Sequence, residues 1–165
     1  MIFGMTILTL VHVLLSLMGI LTGLVVMFGL LTSKVLKGWT AVFIWTTVAT
    51  SVTGFLFPFH RFMPSHAIGI ISLVLLAVAI YALYGRSLAG AWRRIYALMA
   101  MIALYLNVFI LVVQLFQKVP ALRALAPTQT EGPFKLTQLV VLVAFVVLTI
   151  LASIRSRSEQ VRPAS

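Results

Sequence analysis

The chain contains no cysteine and no aspartate, and its only two acids are Glu131 and Glu159. Without cysteine there is no disulfide framework, no thiolate ligand and no cysteine nucleophile. Without aspartate a Ser-His-Asp hydrolase cannot be assembled. No acid falls inside an apolar segment, whereas ion-coupled carriers usually place a carboxylate within the membrane. Phosphate-binding glycine loops and zinc motifs are also missing, and no row of arginines suggests a voltage sensor.

What the chain has in excess is hydrocarbon. Of its 165 residues, 62% are hydrophobic and 8% charged, where soluble domains are about half apolar and a quarter charged. The apolar residues occur in long charge-free blocks, and about 20 such residues suffice to cross a bilayer. The spacing predicts spans over about 5–32, 39–57, 67–84, 95–117 and 134–154, in a single transmembrane domain of residues 1–154. No interval between spans is long enough to bury a core of its own. Residues 155–165 form a polar, basic tail. The first block lacks a positive region before it and is too long to read as a signal peptide. The expected fold class is an all-α membrane protein, a bundle of five transmembrane helices.

The net charge of +10 would point to nucleic acid in a soluble protein. Here the twelve Lys and Arg lie between the apolar blocks, at the edge of the last one (Lys135) or after it, so topology and anionic headgroups account for them and no nucleic acid is expected. With five spans, eight of the twelve fall on the side of the two short basic loops and the tail. The positive-inside rule then puts the N-terminus out and the C-terminus in. Pro120 can open a short helix in the loop before the last span. Leu122 and Leu125 would lay that helix on the membrane surface, with Arg123 pointing away.

Amides mark the fourth segment, where Asn107 and Gln114 interrupt an apolar run on one helical stripe. On the first segment Thr9, His12, Ser16, Gly19 and Gly23 are spaced 3, 4, 3 and 4 apart, which also defines a single stripe. Gly19 and Gly23, with Gly54 on the second segment, are read as helix-packing positions where backbones approach closely. Polar groups in hydrocarbon need internal partners. The economical arrangement is one outward-opening seam or pocket lined by His12, Ser16, Ser51, Ser72, Asn107 and Gln114. His12 is the ionisable residue well inside a span, a functional hypothesis by default. It reads either as a neutral packing imidazole or as a haem ligand or quinone partner. Bis-histidine haem is disfavoured, because His60 and His66 lie in a loop. His60, Met63 and His66, spaced 3 and 3, form a candidate metal set of the soft kind suited to Cu(I), with interfacial packing as the alternative. Glu131 is expected to pair with Arg61, Arg123 or Lys135.

The run from Leu106 to Gln114, continuing through Lys118-Val119-Pro120 and Leu125-Ala126-Pro127 to Gly132-Pro133-Phe134, resembles a family of small bacterial multi-pass proteins labelled only as hypothetical membrane proteins. His12-Val13 with Gly19 and Gly23, and Gly54 to Phe59, are similar too. The resemblance covers most of the chain apart from the tail and implies a bacterial inner-membrane location. It carries no activity, cofactor or functional residue across.

The leading expectation is a non-enzymatic accessory or structural membrane protein whose partners are the bilayer and other membrane subunits or a second copy. The alternatives are a protein binding haem, a quinone or another lipophilic ligand around His12, and a small transporter or channel.

Overall fold

Six helices account for most of the described chain, residues 6–57 and 64–158 of a computed structural model. They are α1 (Ile7–Leu31), α2 (Lys37–Gly54), α3 (Pro64–Ile80), α4 (Trp92–Lys118), α5 (Pro120–Leu125) and α6 (Gly132–Ser158). A π-helical turn, Tyr81–Gly85, extends α3. No strand occurs among the described residues. Four helices are long and apolar enough to cross a membrane: Ile7–Leu31, His66–Gly85, Trp92–Lys118 and Gly132–Ser156. α2 has 18 residues, about 27 Å of helix, but five threonines and a serine dilute its apolar content.

The helix ends follow from local chemistry. Thr6 caps α1: its backbone is extended and its side-chain oxygen accepts from the Thr9 amide at 3.2 Å. At the other end Ser33 adopts φ +61. The Lys34 amide then donates to the Gly29 carbonyl at 2.8 Å and the Ser33 amide to Leu30 at 3.1 Å, the paired closure of a Schellman motif. Glycine is the usual residue at that left-handed position; here serine fills it. Pro120 stands at the first turn of α5, where its missing N–H is harmless.

α1 packs chiefly on α2, and α4 on α6 and α3. The main core lies toward the end of the bundle where α1 stops and α4 starts. It holds Val26, Met27 and Leu30 of α1, Phe43 and Ile44 of α2, and Tyr96, Ala100 and Leu104 of α4, with Leu76, Phe145 and Ala152 beside them. Gly23 lets these helices meet: a Cβ there would lie 2.5 Å from Leu104 Cδ1 and 2.9 Å from the Phe43 ring. Tyr96 and Thr40 are both fully buried and share a 2.9 Å hydrogen bond. A smaller cluster at the opposite end gathers Val112, Phe116 and Ala126, with Leu122 and Phe134 packed on it.

The short helix expected after Pro120 is present at 120–125, and its two leucines are covered unequally. Leu122 packs inward on Phe116 and Ala126, while Leu125 is exposed. Glu131 also differs from expectation, since it forms no ion pair among the described residues and instead caps a turn. Its Oε1 accepts from the Thr128 amide and hydroxyl at 3.1 and 2.8 Å, and its Oε2 from the Thr130 amide at 3.0 Å. Desolvation pushes this carboxyl up, but the hydrogen bonds from Thr128 and Thr130 outweigh it and hold it below its ordinary value.

At the end where α1 and α6 finish and α4 begins, arginines join helix termini. Arg93 Nη2 donates to the Ser33 carbonyl at 2.6 Å, and Arg155 Nη1 donates to the Leu31 carbonyl. Both meet the negative end of the α1 dipole. Arg94 Nε donates to Ser153 Oγ at 2.6 Å, linking α4 to α6.

Candidate functional site

The residues expected to line one pocket instead form two separate ties, both ending on threonines of α2. His12 Nδ1 lies 2.9 Å from Thr53 Oγ1. The Thr53 hydroxyl has backbone acceptors of its own, the Ala49 carbonyl at 2.8 Å and the Thr50 carbonyl at 3.1 Å. Its proton is therefore committed to the helix, and Oγ1 receives a proton from the imidazole. His12 is thereby assigned the Nδ1–H tautomer, which leaves the Nε2 lone pair as an acceptor. The ring is half-buried and meets Phe57 edge-on at 5.2 Å between centroids.

The second tie lies deeper along α1. Asn107 Nδ2 donates to Thr47 Oγ1 at 3.2 Å. A Cβ on Gly19 would stand 3.2 Å from Thr47 Oγ1 and 3.7 Å from Asn107 Nδ2, so Gly19 makes the room for this contact. Gly19 follows His12 by seven residues, about 10 Å along the helix. His12 and Asn107 are thus held by the same neighbour at two different depths.

The remaining seam residues are dispersed. Ser16 donates to the His12 carbonyl at 2.8 Å, a bond within its own helix. Ser51 is half-buried on α2, Ser72 is buried on α3, and a Cβ built on Gly54 would stand 3.6 Å from His12 Cε1, an ordinary contact. Gln114 corrects the expected pocket, for it is exposed. The C-terminal half of α4 turns Val112 and Phe116 inward. Gln114, midway between them in sequence, is about 200° from Val112 and 160° from Phe116 at 100° per residue, and so faces the opposite way.

Of the three candidate metal ligands, His60 and Met63 lie outside the described residues. His66 is buried and stacks on Phe55 at 5.9 Å between centroids. Among the described residues no group of three His, Cys, Asp or Glu side chains is placed to hold a metal.

Two further amides outside the helical stripes prove to be structural ties. Gln138 Nε2 on α6 donates to the Phe109 carbonyl at 3.2 Å, and Gln129 Nε2 donates to the Val113 carbonyl at 2.9 Å. Gln117 is bound in turn to Gln129. Their signal in the sequence was only an amide within the loop at 118–131 and another in the first turns of the segment after it.

No protein-family model matches the chain, and neither a curated protein nor a solved structure is similar to it. The functional reading therefore rests on the geometry.

Two concavities lie away from His12. One is a groove of about 290 Å³ between α4 and α6, lined by Ile102 and Tyr105 on one side and Leu142, Val146 and Ile150 on the other. The other, at the opposite end of the bundle, lies among Phe116, Arg123 and the loop residues Pro127 to Gln129.

Proposed function

We propose that this chain is a five-span protein of the bacterial inner membrane, N-terminus out, that serves as a non-enzymatic accessory or packing subunit. One observation carries the reading: the polar side chains that bridge or stiffen its apolar helices bind one another or helix carbonyls and do not converge on a cavity, while the buried Thr50 hydroxyl has no hydrogen-bond partner among the described residues. His12 is bound to Thr53, Asn107 to Thr47 and Tyr96 to Thr40, while the Thr22 and Thr46 hydroxyls turn back onto their own helices. Such ties lock helices together, each contributing about 0.6–2 kcal/mol in a membrane. The exposed apolar side chains of α6, Leu139, Val143, Val147 and Ile154 among them, supply a surface for lipid or a membrane partner. α2 counts as the fifth span because its length of about 27 Å approaches the hydrocarbon thickness and four of its five threonines, Thr40, Thr46, Thr47 and Thr53, are bonded to neighbours or to its own backbone.

The test is cross-linking in intact bacterial cells followed by purification in mild detergent, with a reporter fused at the C-terminus. The expected results are a reproducible membrane partner and a cytoplasmic reporter signal. A chain always recovered alone would count against the accessory role, and a periplasmic C-terminus would overturn the topology.

A second reading is favoured by the His12 tautomer. A ligating histidine holds its far N–H on a fixed acceptor and presents the other nitrogen, and Thr53 supplies such an acceptor. Under this reading Nε2 would ligate haem iron or accept a hydrogen bond from a quinol hydroxyl. Absorption spectra of the protein purified in mild detergent, oxidised and then reduced, test the haem form. A Soret band lost in H12A would support it; a featureless spectrum at full protein recovery would count against it.

A further inference from the structure

We infer that the α4–α6 groove and the arginine at its foot bind one anionic glycerophospholipid. The inference rests on the membrane placement proposed above.

The groove and Arg94 share one face. Arg94 precedes Tyr105 by eleven residues, a rotation of about 20° after three turns. On α6, Val146 and Leu142 precede Ser153 by seven and eleven residues, again about 20° from it. The Arg94–Ser153 hydrogen bond therefore closes the foot of the strip that the groove occupies. From Ile150 to Leu142 the groove rises through about 12 Å of helix, starting about 5 Å above that bond. Its lining is hydrocarbon apart from Tyr105 and Thr149, the surroundings an acyl chain requires.

The foot calls for an anion. Arg94 is exposed, and its one hydrogen bond among the described side chains uses Nε, which leaves the Nη1 and Nη2 hydrogens in the forked geometry that suits a phosphate. Arg93 and Arg94 stand in the first turn of α4, where no acid is present. The helix dipole there is positive and disfavours further positive charge. Arg86, which lies 5.4 Å from the Trp92 ring centroid, and Arg155 on α6 add to the same end. Of the chain's two acids, Glu131 is at the opposite end and Glu159 lies outside the described residues. A single carboxylate could offset only part of this charge. A phosphodiester joined to an acyl chain satisfies the foot and the groove together, as basic pockets between membrane helices do for anionic headgroups.

The experiment is native mass spectrometry of the full chain in mild detergent, offered phosphatidylglycerol and phosphatidylcholine with matched acyl chains. The wild type should retain phosphatidylglycerol at least about ten-fold over phosphatidylcholine. R94Q should abolish the preference, R94K should keep part of it, and R123Q, which removes a charge from the opposite end, should leave it intact. V146W fills the groove at an exposed position and should reduce retention of both lipids. Equal retention of the two lipids by the wild type, equal losses in R94Q and R123Q, or unchanged retention in V146W would each overturn the inference. Alkaline extraction of cell membranes separates the two levels. A chain released by it would refute the membrane placement, whereas an embedded chain without lipid preference would refute only this site.

Discussion

Replacing Gly23 by alanine should destabilise the bundle even though it strengthens α1 as a helix. The added Cβ would fall 2.5 Å from Leu104 Cδ1 and 2.9 Å from two atoms of the Phe43 ring. Comfortable carbon contacts lie at about 3.5–4.0 Å. Leu104 could swing its terminal methyl aside, but it and Phe43 are each only 1% exposed. A close-packed interior gives little room for either to move. Overpacking of this kind costs about 1–3 kcal/mol, and exchanging glycine for alanine in a helix returns about 0.5–1 kcal/mol. The net loss lies between about 0 and 2.5 kcal/mol, toward the upper part given the 2.5 Å approach to Leu104, and G23V should lose more. Gly38 provides the opposite case, since nothing lies within 4 Å of a Cβ built there. G38A should be neutral or stabilising by up to about 1 kcal/mol. Thermal unfolding in mild detergent, followed by circular dichroism, should order the proteins G38A, wild type, G23A and G23V from most to least stable. If G23A matched or exceeded the wild type, the close meeting of α1, α2 and α4 at Gly23 would be refuted.

Y96F should destabilise the protein by about 1–3 kcal/mol, because it leaves the buried Thr40 hydroxyl without its partner; adding T40V should recover part of the loss, and equal stability of the single and double variants would contradict the bond. S33G should raise stability by about 0.5–1 kcal/mol, since it removes a side chain from a left-handed position at the cost of an exposed 3.3 Å bond to the Arg155 carbonyl; thermal unfolding decides the sign. The Glu131 carboxyl is held below its ordinary value of 4.5. Its contribution to the turn is thus complete above that pH and is lost as pH falls through the lowered value. Amide exchange at Thr128 and Thr130, normalised for intrinsic pH dependence, should show protection that disappears in acid, and E131Q should weaken it at neutral pH. H12A should disturb the contact of the N-terminal half of α1 with α2 while sparing the Thr47–Asn107 tie farther along the helix, as site-specific spin-label distances would report.

The all-helical architecture was legible because apolar blocks without charge leave few other structures possible. The stripe carrying Gly19 and Gly23 pointed to a close helix contact, and the structure sets both glycines against α2 and α4. Which polar groups meet was much less legible. A threonine in a helix can satisfy itself on its own carbonyl, so nothing in the residue distinguished Thr53, which also receives His12, from Thr46, which binds only its own helix among the hydrogen bonds described. Asn107 and Gln114 share a stripe in an ideal helix, yet α4 buries one face near Ala103 and another near Val112 and Phe116. A single stripe cannot describe both. Gln129 and Gln138 escaped notice because their acceptors are backbone carbonyls, which every sequence supplies equally.

The arginine ties at the ends of α1 and α6 also bear on the order of assembly. Arg155 meets Leu31 across 124 residues of sequence, and Ser33 reaches back to the Arg155 carbonyl. During synthesis the first two helices emerge early, when their mutual contacts through Phe43 and the threonines of α2 can already form. Arg93 can bind the Ser33 carbonyl once α4 is made, but the Leu31 carbonyl must wait for α6. A nascent chain halted before Arg155 would therefore hold a formed α1–α2 pair with the Leu31 carbonyl still open, and completion of α6 is the event that fastens the end of α1.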